Sequence, residues 1–469
     1  MSVSSAAKKQ QFRAVGSTAM MKVAVMGISG FIGILTTRMI ISNFGTEAYA
    51  QYGLLVSLGS LLPFADLGVG TAVITAVAAS RNPAEDDVVR RTVLTAFRIV
   101  LLSTVVISLG AVTLTALGLW RPLLGDAMTA DGEWPAMVVM IVFAIGVPFG
   151  IGQCILVGLG RTTRQIANQF VVSPTMFLLV TLSVALAVPA GSWLAVYSYA
   201  ANGLAGALCL WQAARLVRPQ LRRVARQLLR PHEYPGLKVM DVAWPMLVQL
   251  VVLPFAMGSD RLMLSHLSGS PELVEYNLAA QLFGIILQTI AAAGVALWPV
   301  FAKNRATSTV QSPWQLCLLF GLGGLILAAG LCLVSPWVVA FVSDGKINLH
   351  PPLLLAFSAY VIVQAAKYPL GMYMTDVRGL RFQIGPIIAM VPLKIGLSLL
   401  LIPVLGAAGT VWSTALAVGL CQVLANVWWI RRDLDRRRAA VDEAQRVATA
   451  AHNSPSDNPA PMKGRDRTP

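Results

Sequence analysis

Apolar residues in this chain come in runs of about 20 residues, divided by short polar stretches, and nowhere settle into the alternation of half-buried strands. Runs of that length cross a hydrocarbon core of about 30 Å as helices. The pattern predicts spans near 17–41, 49–78, 93–120, 135–158, 169–189 and 192–214, and then near 240–265, 274–302, 314–342, 352–375, 382–404 and 407–430. The first run is too long for a signal-peptide core and leads straight into the second, so it reads as an uncleaved anchor. Between the two sets lies a strongly basic segment: Arg215, Arg218, Arg222, Arg223, Arg226, Arg230 and Lys238.

Two sets of six suggest duplication, and the polar residues support it. TRMIISNFGTEAYAQYGL (Thr37–Leu54) has a counterpart in DRLMLSHLSGSPELVEYNL (Asp260–Leu278). Arg38 and Ser42 match Arg261 and Ser265 at an offset of 223 residues, and Tyr52 and Leu54 match Tyr276 and Leu278 at 224. One residue inserted in the turn explains the slip. Halves with an even number of spans enter the membrane from the same side, so they form parallel repeats about an axis along the membrane normal, with a cavity between them. The predicted fold is therefore an all-α polytopic membrane protein, with about 12 transmembrane helices in two six-helix lobes. The expected layout is a leader at 1–16, lobes at 17–214 and 240–430, a basic linker at 215–239 and a basic, partly disordered tail at 431–469.

Composition agrees with this class. The 469 residues are 56% hydrophobic and 12% charged, with mean hydropathy +0.69; soluble domains carry about 25% charged residues. The net charge of +15 is explained by the positive-inside rule rather than by nucleic-acid binding. Predicted inner loops hold Arg81, Arg90, Arg91, Arg161, Arg164, Lys303, Arg305, Arg378 and Arg381, and Arg431, Arg432, Arg436, Arg437 and Arg438 follow the last span. Outer loops hold only Arg121 and Lys346 among the acids Glu47, Asp126, Asp131, Glu133, Glu272, Glu275 and Asp344. Both termini are expected on the cytoplasmic side. In the linker, Arg218, Arg222, Arg226 and Arg230 share one helical face. A helix resting on anionic lipid headgroups explains them, with direct contact to a substrate phosphate as the alternative.

Charges inside the spans are the candidates for chemistry, because ionisable groups at membrane depth usually face a cavity or a partner. They are Lys22, Arg38, Asp66, Arg98, Asp241, Asp260, Arg261, Lys367 and Lys394. Lys22, Arg98 and Asp241 lie close enough to the inner surface to snorkel or stay wet. Asp66 and Lys394 sit near mid-span, where that escape is closed. The excess is cationic, which suits an anionic substrate, and Arg binds phosphate oxygens bidentately. Arg38, Arg261, Lys394, Lys367 and Lys22 are therefore the substrate-binding candidates. Asp66 and Asp260 are candidates for coupling to an ion, and a buried salt bridge is the alternative for Asp66. Prolines 63, 245, 254, 386 and 392 mark places where spans can bend.

Other chemistries lack their motifs. Gly345–Ile347 (GKI) is not followed by the Ser/Thr of a phosphate-binding loop. The four histidines are scattered without metal-ligand spacing, the five cysteines fall in apolar runs, and nothing calls for a cofactor or metal. A membrane-embedded polymerase or ligase would be expected to carry a large outer loop with paired acids and histidines, and the longest here, about Arg121–Trp134, is short.

Helix, Arg38, turn, Gly45, Glu47, Tyr52 and a second helix, followed by LGVG at Leu67–Gly70, resemble the opening of bacterial polysaccharide flippases of the Wzx type. These belong to the multidrug/oligosaccharidyl-lipid/polysaccharide exporter superfamily. SDRLMLSHLSG with Tyr276, then LWP at Leu297–Pro299, is similar to that family's seventh and eighth helices. The resemblance implies flipping of undecaprenyl-pyrophosphate-linked oligosaccharide from the inner to the outer leaflet of the bacterial inner membrane. Alternating access between the lobes, coupled to H+ or Na+, is the implied mechanism, serving O-antigen or exopolysaccharide assembly. It places Arg38 and Arg261 in the outer part of the central cleft, and names membrane lipids, a polysaccharide polymerase and a chain-length regulator as candidate partners. An ion-coupled multidrug antiporter is the alternative. Basic rather than acidic residues in the first and seventh helices count against it.

Overall fold

A computed structural model describes residues 5–62, 68–125, 128–228, 258–295, 297, 301, 312–375 and 377–453. Asp66, Asp241 and Arg230 lie outside the described residues, as does the side chain of Lys22. Helices and short turns account for the described chain, with no strand among the described residues. Without water in the bilayer core each backbone group must be paired inside its own segment, which helices achieve.

Ten helices among the described residues are long and apolar enough to cross a membrane. The first of them, Ala24–Ser60, is really two. At Gly45 the backbone leaves the helix (φ 89°, ψ 173°), a region where only a residue without Cβ sits comfortably. Thr37 Oγ1 and Tyr49 Oη then donate to the same atom, Gln281 Oε1, at 2.8 and 3.2 Å. In a straight helix these positions would be about 18 Å apart, so the chain reverses at Gly45. The second half repeats the turn at Gly269 (φ 91°), 224 residues on. Here a helix over 258–267 gives way to Ser270–Val295. The glycine offset is that of Tyr52 and Tyr276, so the turn is part of the duplicated motif.

The turns define two ends. One carries Glu47, Asp131, Glu133, Glu272, Glu275 and Asp344 against Arg121 and Lys346; the other carries Arg81, Arg90, Arg91, Arg161, Arg164, Arg378 and Arg381. At the acidic end the lobes share one core, in which Ile40, Tyr49, Leu54 and Leu55 of the first pack with Leu264, Leu278, Phe283 and Phe357 of the second. Towards the basic end each lobe has its own. Val73, Val93, Ile155, Leu156 and Cys209 form one, and Phe301, Leu370, Tyr373, Met374 and Ile430 the other. The lobes are thus joined along their acidic halves.

The outer faces are apolar and uncovered. Leu102, Val105, Val106 and Leu109, one stripe of the helix Asp87–Ala116, are all more than half exposed, as lipid-facing positions should be. Trp120 does not share this exposure. It is buried, with its indole N–H donating to Thr115 Oγ1 at 2.8 Å. The last helix starts at Ala407, passes through a π-helical stretch (Val418–Leu424) and continues to Asn453, so the arginines from 431 to 438 extend the helix.

Candidate substrate site between the lobes

At the junction of the lobes Gly53 faces Asn277. A Cβ on Gly53 would collide with the Asn277 amide. At the repeat offset of 224 these two positions are equivalents, so contact between them puts the pseudo-two-fold axis of the duplication at this point. Gln281 lies one turn further along the same helix and accepts from Thr37 and Tyr49 of the other lobe.

Arg261 stands beside this junction. Its Nε donates to Asn277 Oδ1 at 2.6 Å, and its guanidinium lies 5.5 Å from the ring centre of Tyr276. Tyr49 of the N-terminal lobe reaches the same helix, where its hydroxyl donates to Gln281 Oε1 at 3.2 Å. Tyr49 and Tyr52 are stacked, with ring centroids 6.4 Å apart. The Arg261 cation and the rings of Tyr276, Tyr49 and Tyr52 therefore lie about the junction, with the hydroxyls of Tyr276 and Tyr49 engaged by Asp260 and Gln281. Such a set can bind an anion, and the aromatic faces and hydroxyls can hold groups that are part apolar and part polar.

A second, fully buried group adjoins Arg261 within the C-terminal lobe. Lys394 Nζ lies 2.6 Å from Asp260 Oδ1, and Lys394 itself is 0% exposed. Tyr276 Oη donates to Asp260 Oδ2 at 2.9 Å, Thr410 Oγ1 donates to Oδ1 at 3.0 Å, and Lys394 also reaches Ser259 Oγ at 3.3 Å. A carboxylate held in a low-dielectric site needs this set of donors, since desolvation of an unpaired charge costs several kcal/mol. Pro386 and Pro392, inside the helix Val377–Leu405, both precede Lys394, the second by two residues.

Arg38, the repeat partner of Arg261, is used differently. Its guanidinium pairs with Asp344 of the other lobe at 2.9 Å, with both side chains 37% exposed, and lies 4.3 Å from the ring centre of Phe341. Asp344 has φ 49° and ends the helix Trp314–Ser343. Two residues on, Lys346 Nζ donates to the carbonyls of Ile41 and Ser42 at 3.2 and 3.5 Å. A cation there complements the negative end of the Arg38 helix. The GKI segment that fails as a phosphate loop is thus part of a clasp across the acidic end. Close by, His266 Nε2 lies 3.1 Å from the carbonyl of Pro122 in the other lobe.

Lys367 sits half-buried on the helix Pro351–Tyr373, towards its basic end, following Tyr360 and Gln364 at helical spacing. Gln364 Nε2 donates to Tyr360 Oη at 2.7 Å. The structure therefore brings Asp260, Arg261 and Lys394 together, sets Lys367 along a neighbouring helix, and puts Arg38 at the acidic rim. Arg98 belongs to none of these: it donates to the carbonyls of Gln227 and Leu228. Sequence reasoning passed over Asn277, Gln281, Tyr49 and Gly53. Asn277 and Gln281 did leave a signal, two amides one turn apart in the stretch between Glu275 and Gln288. Among the described residues, no group of three His, Cys, Asp or Glu side chains is placed to hold a metal ion.

The polysaccharide biosynthesis protein family matches this chain over residues 12–305. The chain belongs to that family. No curated protein sequence matches it significantly. Its fold is similar to an inward-facing multidrug resistance MATE transporter of the MOP superfamily (TM-score 0.65, 13% identity, 90% of this chain and 99% of that one). It is also similar to the lipid II flippase MurJ in an inward closed conformation (TM-score 0.63, 12% identity, 94% of each chain). A MOP superfamily transporter from Pyrococcus furiosus, described as having a binding pocket of reverse polarity, matches at TM-score 0.54 and 15% identity, over 91% of this chain and 96% of that one. The two-lobe helical fold of the described residues is thus shared with these structures, which are described as a multidrug transporter, a lipid II flippase and a MOP superfamily transporter.

Proposed function

We propose that this chain flips undecaprenyl-pyrophosphate-linked oligosaccharide units across the bacterial inner membrane by alternating access, for surface polysaccharide assembly. The observation that carries this reading is Arg261, a cation anchored by Asn277 at the lobe junction, with tyrosines of both lobes about it. A guanidinium suits a pyrophosphate, and tyrosines suit sugar rings with their alternating apolar faces and hydroxyls. Lys367 extends the positive character of the C-terminal lobe, and Lys394, whose charge Asp260 balances in this structure, is the further candidate there. Of the other cation candidates, Lys22 lies on the first span, and Arg38 serves the rim through Asp344 rather than the cargo.

The arginine-rich end is taken as cytoplasmic, with both chain termini there. The shared core and the clasp then close the periplasmic side, the arrangement a carrier needs in order to load from the inner leaflet. Asp66 and Asp260 are the candidates for coupling to H+ or Na+. A drug antiporter selecting cations is less well supported, since Asp260 already carries its own cation in Lys394. A polysaccharide polymerase and a chain-length regulator are the proteins expected to take the product onward. Deletion in the native host followed by lipid extraction tests the reading. Lipid-linked oligosaccharide should accumulate on the inner leaflet; an unchanged glycolipid pool together with altered drug sensitivity would overturn it.

A further inference from the structure

The short helix Gln220–Gln227 follows the sixth span and is fixed to the N-terminal lobe at its basic end. Val224 is buried, Gln220 Nε2 donates to the carbonyl of Asp86, and Arg98 closes the far end. Arg98 Nε donates to Leu228 O at 3.1 Å and Nη2 to Gln227 O at 2.9 Å, which satisfies terminal carbonyls the helix cannot pair itself. Five arginines and no acid occur between 215 and 228. Arg222, Arg223 and Arg226 are exposed and have no carboxylate partner among the described residues. This is the make-up of a helix lying in a membrane interface.

Its apolar face is only partly used. Leu221, Ala225 and Leu228, at helical spacing, line a cleft of about 340 Å³ together with Phe97, Leu210 and Ala214 of the neighbouring spans. Arg222 is the only charged or polar side chain in its lining. The cleft lies where the helices Asp87–Ala116 and Gly191–Leu216 reach the basic end of the bundle. Water gains no hydrogen bonds in such a cleft, whereas a hydrocarbon chain fills it and removes apolar surface from water.

We propose that the cleft holds an acyl chain of an acidic glycerophospholipid, with the headgroup phosphate held by Arg222 and Arg226. Charge selects the occupant: the arginines favour a lipid with net negative charge over a zwitterionic one of equal chain length. The site lies within one lobe, so it stands or falls separately from the flipping reaction at the lobe junction.

Native mass spectrometry of the full-length protein, titrated with phosphatidylglycerol, phosphatidylcholine or polyprenyl phosphate, tests this. The wild type should retain phosphatidylglycerol over phosphatidylcholine by roughly tenfold or more, the scale expected for two interfacial arginines. Arg222→Gln with Arg226→Gln should abolish that preference. Ala225→Trp keeps every arginine but fills the cleft, and should lower retention of both phospholipids. A preference that survives the double substitution, retention unaffected by Ala225→Trp, or retention of polyprenyl phosphate in place of phosphatidylglycerol would each overturn the proposal. Circular dichroism and thermal unfolding of the variants exclude loss of fold as the cause.

Discussion

Arg38 and Arg261 occupy one position in two copies of a motif, each about two turns before a glycine whose φ is close to 90°. Their surroundings nevertheless differ. Arg38 runs out to the acidic rim, pairs with Asp344 from the opposite lobe and stays partly wet. Arg261 stays at the lobe junction, fixed by Asn277. The residue before each arginine accounts for much of this. Thr37 donates to Gln281 across the junction, whereas its counterpart Asp260 anchors Lys394, Thr410 and Tyr276 inside its own lobe. Duplication supplied the same scaffold twice, and divergence of single side chains turned one copy into a closure and the other into a charged interior. Acidic and basic ends differ in the same way: a shared core at the first, separate cores at the second.

The contrast can be broken from its most buried part outward. Asp260→Asn leaves Lys394 as an unpaired buried cation and should cost about 3–5 kcal/mol of stability, because the desolvation of the remaining charge is no longer offset. Thermal unfolding in detergent measures this, and Asp260→Asn combined with Lys394→Met should recover much of the loss. A double variant as unstable as the single one would mean that the pair is not what holds the group together. Gly53→Val comes next, since the added side chain meets Asn277 where the repeats touch. Overpacking of this kind costs about 1–3 kcal/mol. Here it should appear as greater labelling of a cysteine placed at the acidic rim, and unchanged labelling would contradict the close approach.

The clasp should matter less. Arg38 and Asp344 are over a third exposed, and pairs of that kind contribute about 0–1 kcal/mol. Asp344→Arg should shift the open-to-closed ratio by no more than about fivefold, and Arg38→Asp in the same chain should restore it. Interlobe distances by electron spin resonance would show this; failure of the swap to restore them would remove Arg38 from the closure. Smallest of all is His350. Its Nδ1 lies 2.7 Å from Glu275 Oε1, and the hydrogen bond and negative charge of Glu275 raise the imidazole pKa above its usual value. The pair is therefore strongest below about pH 6.5, the ordinary histidine value, and is lost as pH rises through the raised one. The melting-temperature difference between wild type and His350→Gln should shrink across that window; a difference that grows with pH would reverse the assignment.

Much of the scaffold was legible because lipid imposes a simple rule: each span must be a long apolar helix. The duplication was legible too, since Arg38 with Arg261 and Tyr52 with Tyr276 kept their spacing. Partners were not. Asp260 and Lys394 are four helices apart in the chain, and Asp344 lies in a turn whose charge looked like loop chemistry. Gly53 carries no side chain to mark it, and its role comes from what approaches it. Periodicity reports which face of a helix is apolar. Which charged group meets which depends on how the lobes close.

The central claim is that Arg261, and not its repeat partner, holds the charged part of the cargo. Transbilayer movement of an undecaprenyl-pyrophosphate-linked oligosaccharide in proteoliposomes containing the purified chain tests it most directly. Arg261→Gln should slow flipping by at least about tenfold, the scale of one lost charge-assisted contact, while Arg38→Gln combined with Asp344→Asn should stay within about fivefold of wild type. Wild-type flipping by Arg261→Gln at equal protein level would contradict the account.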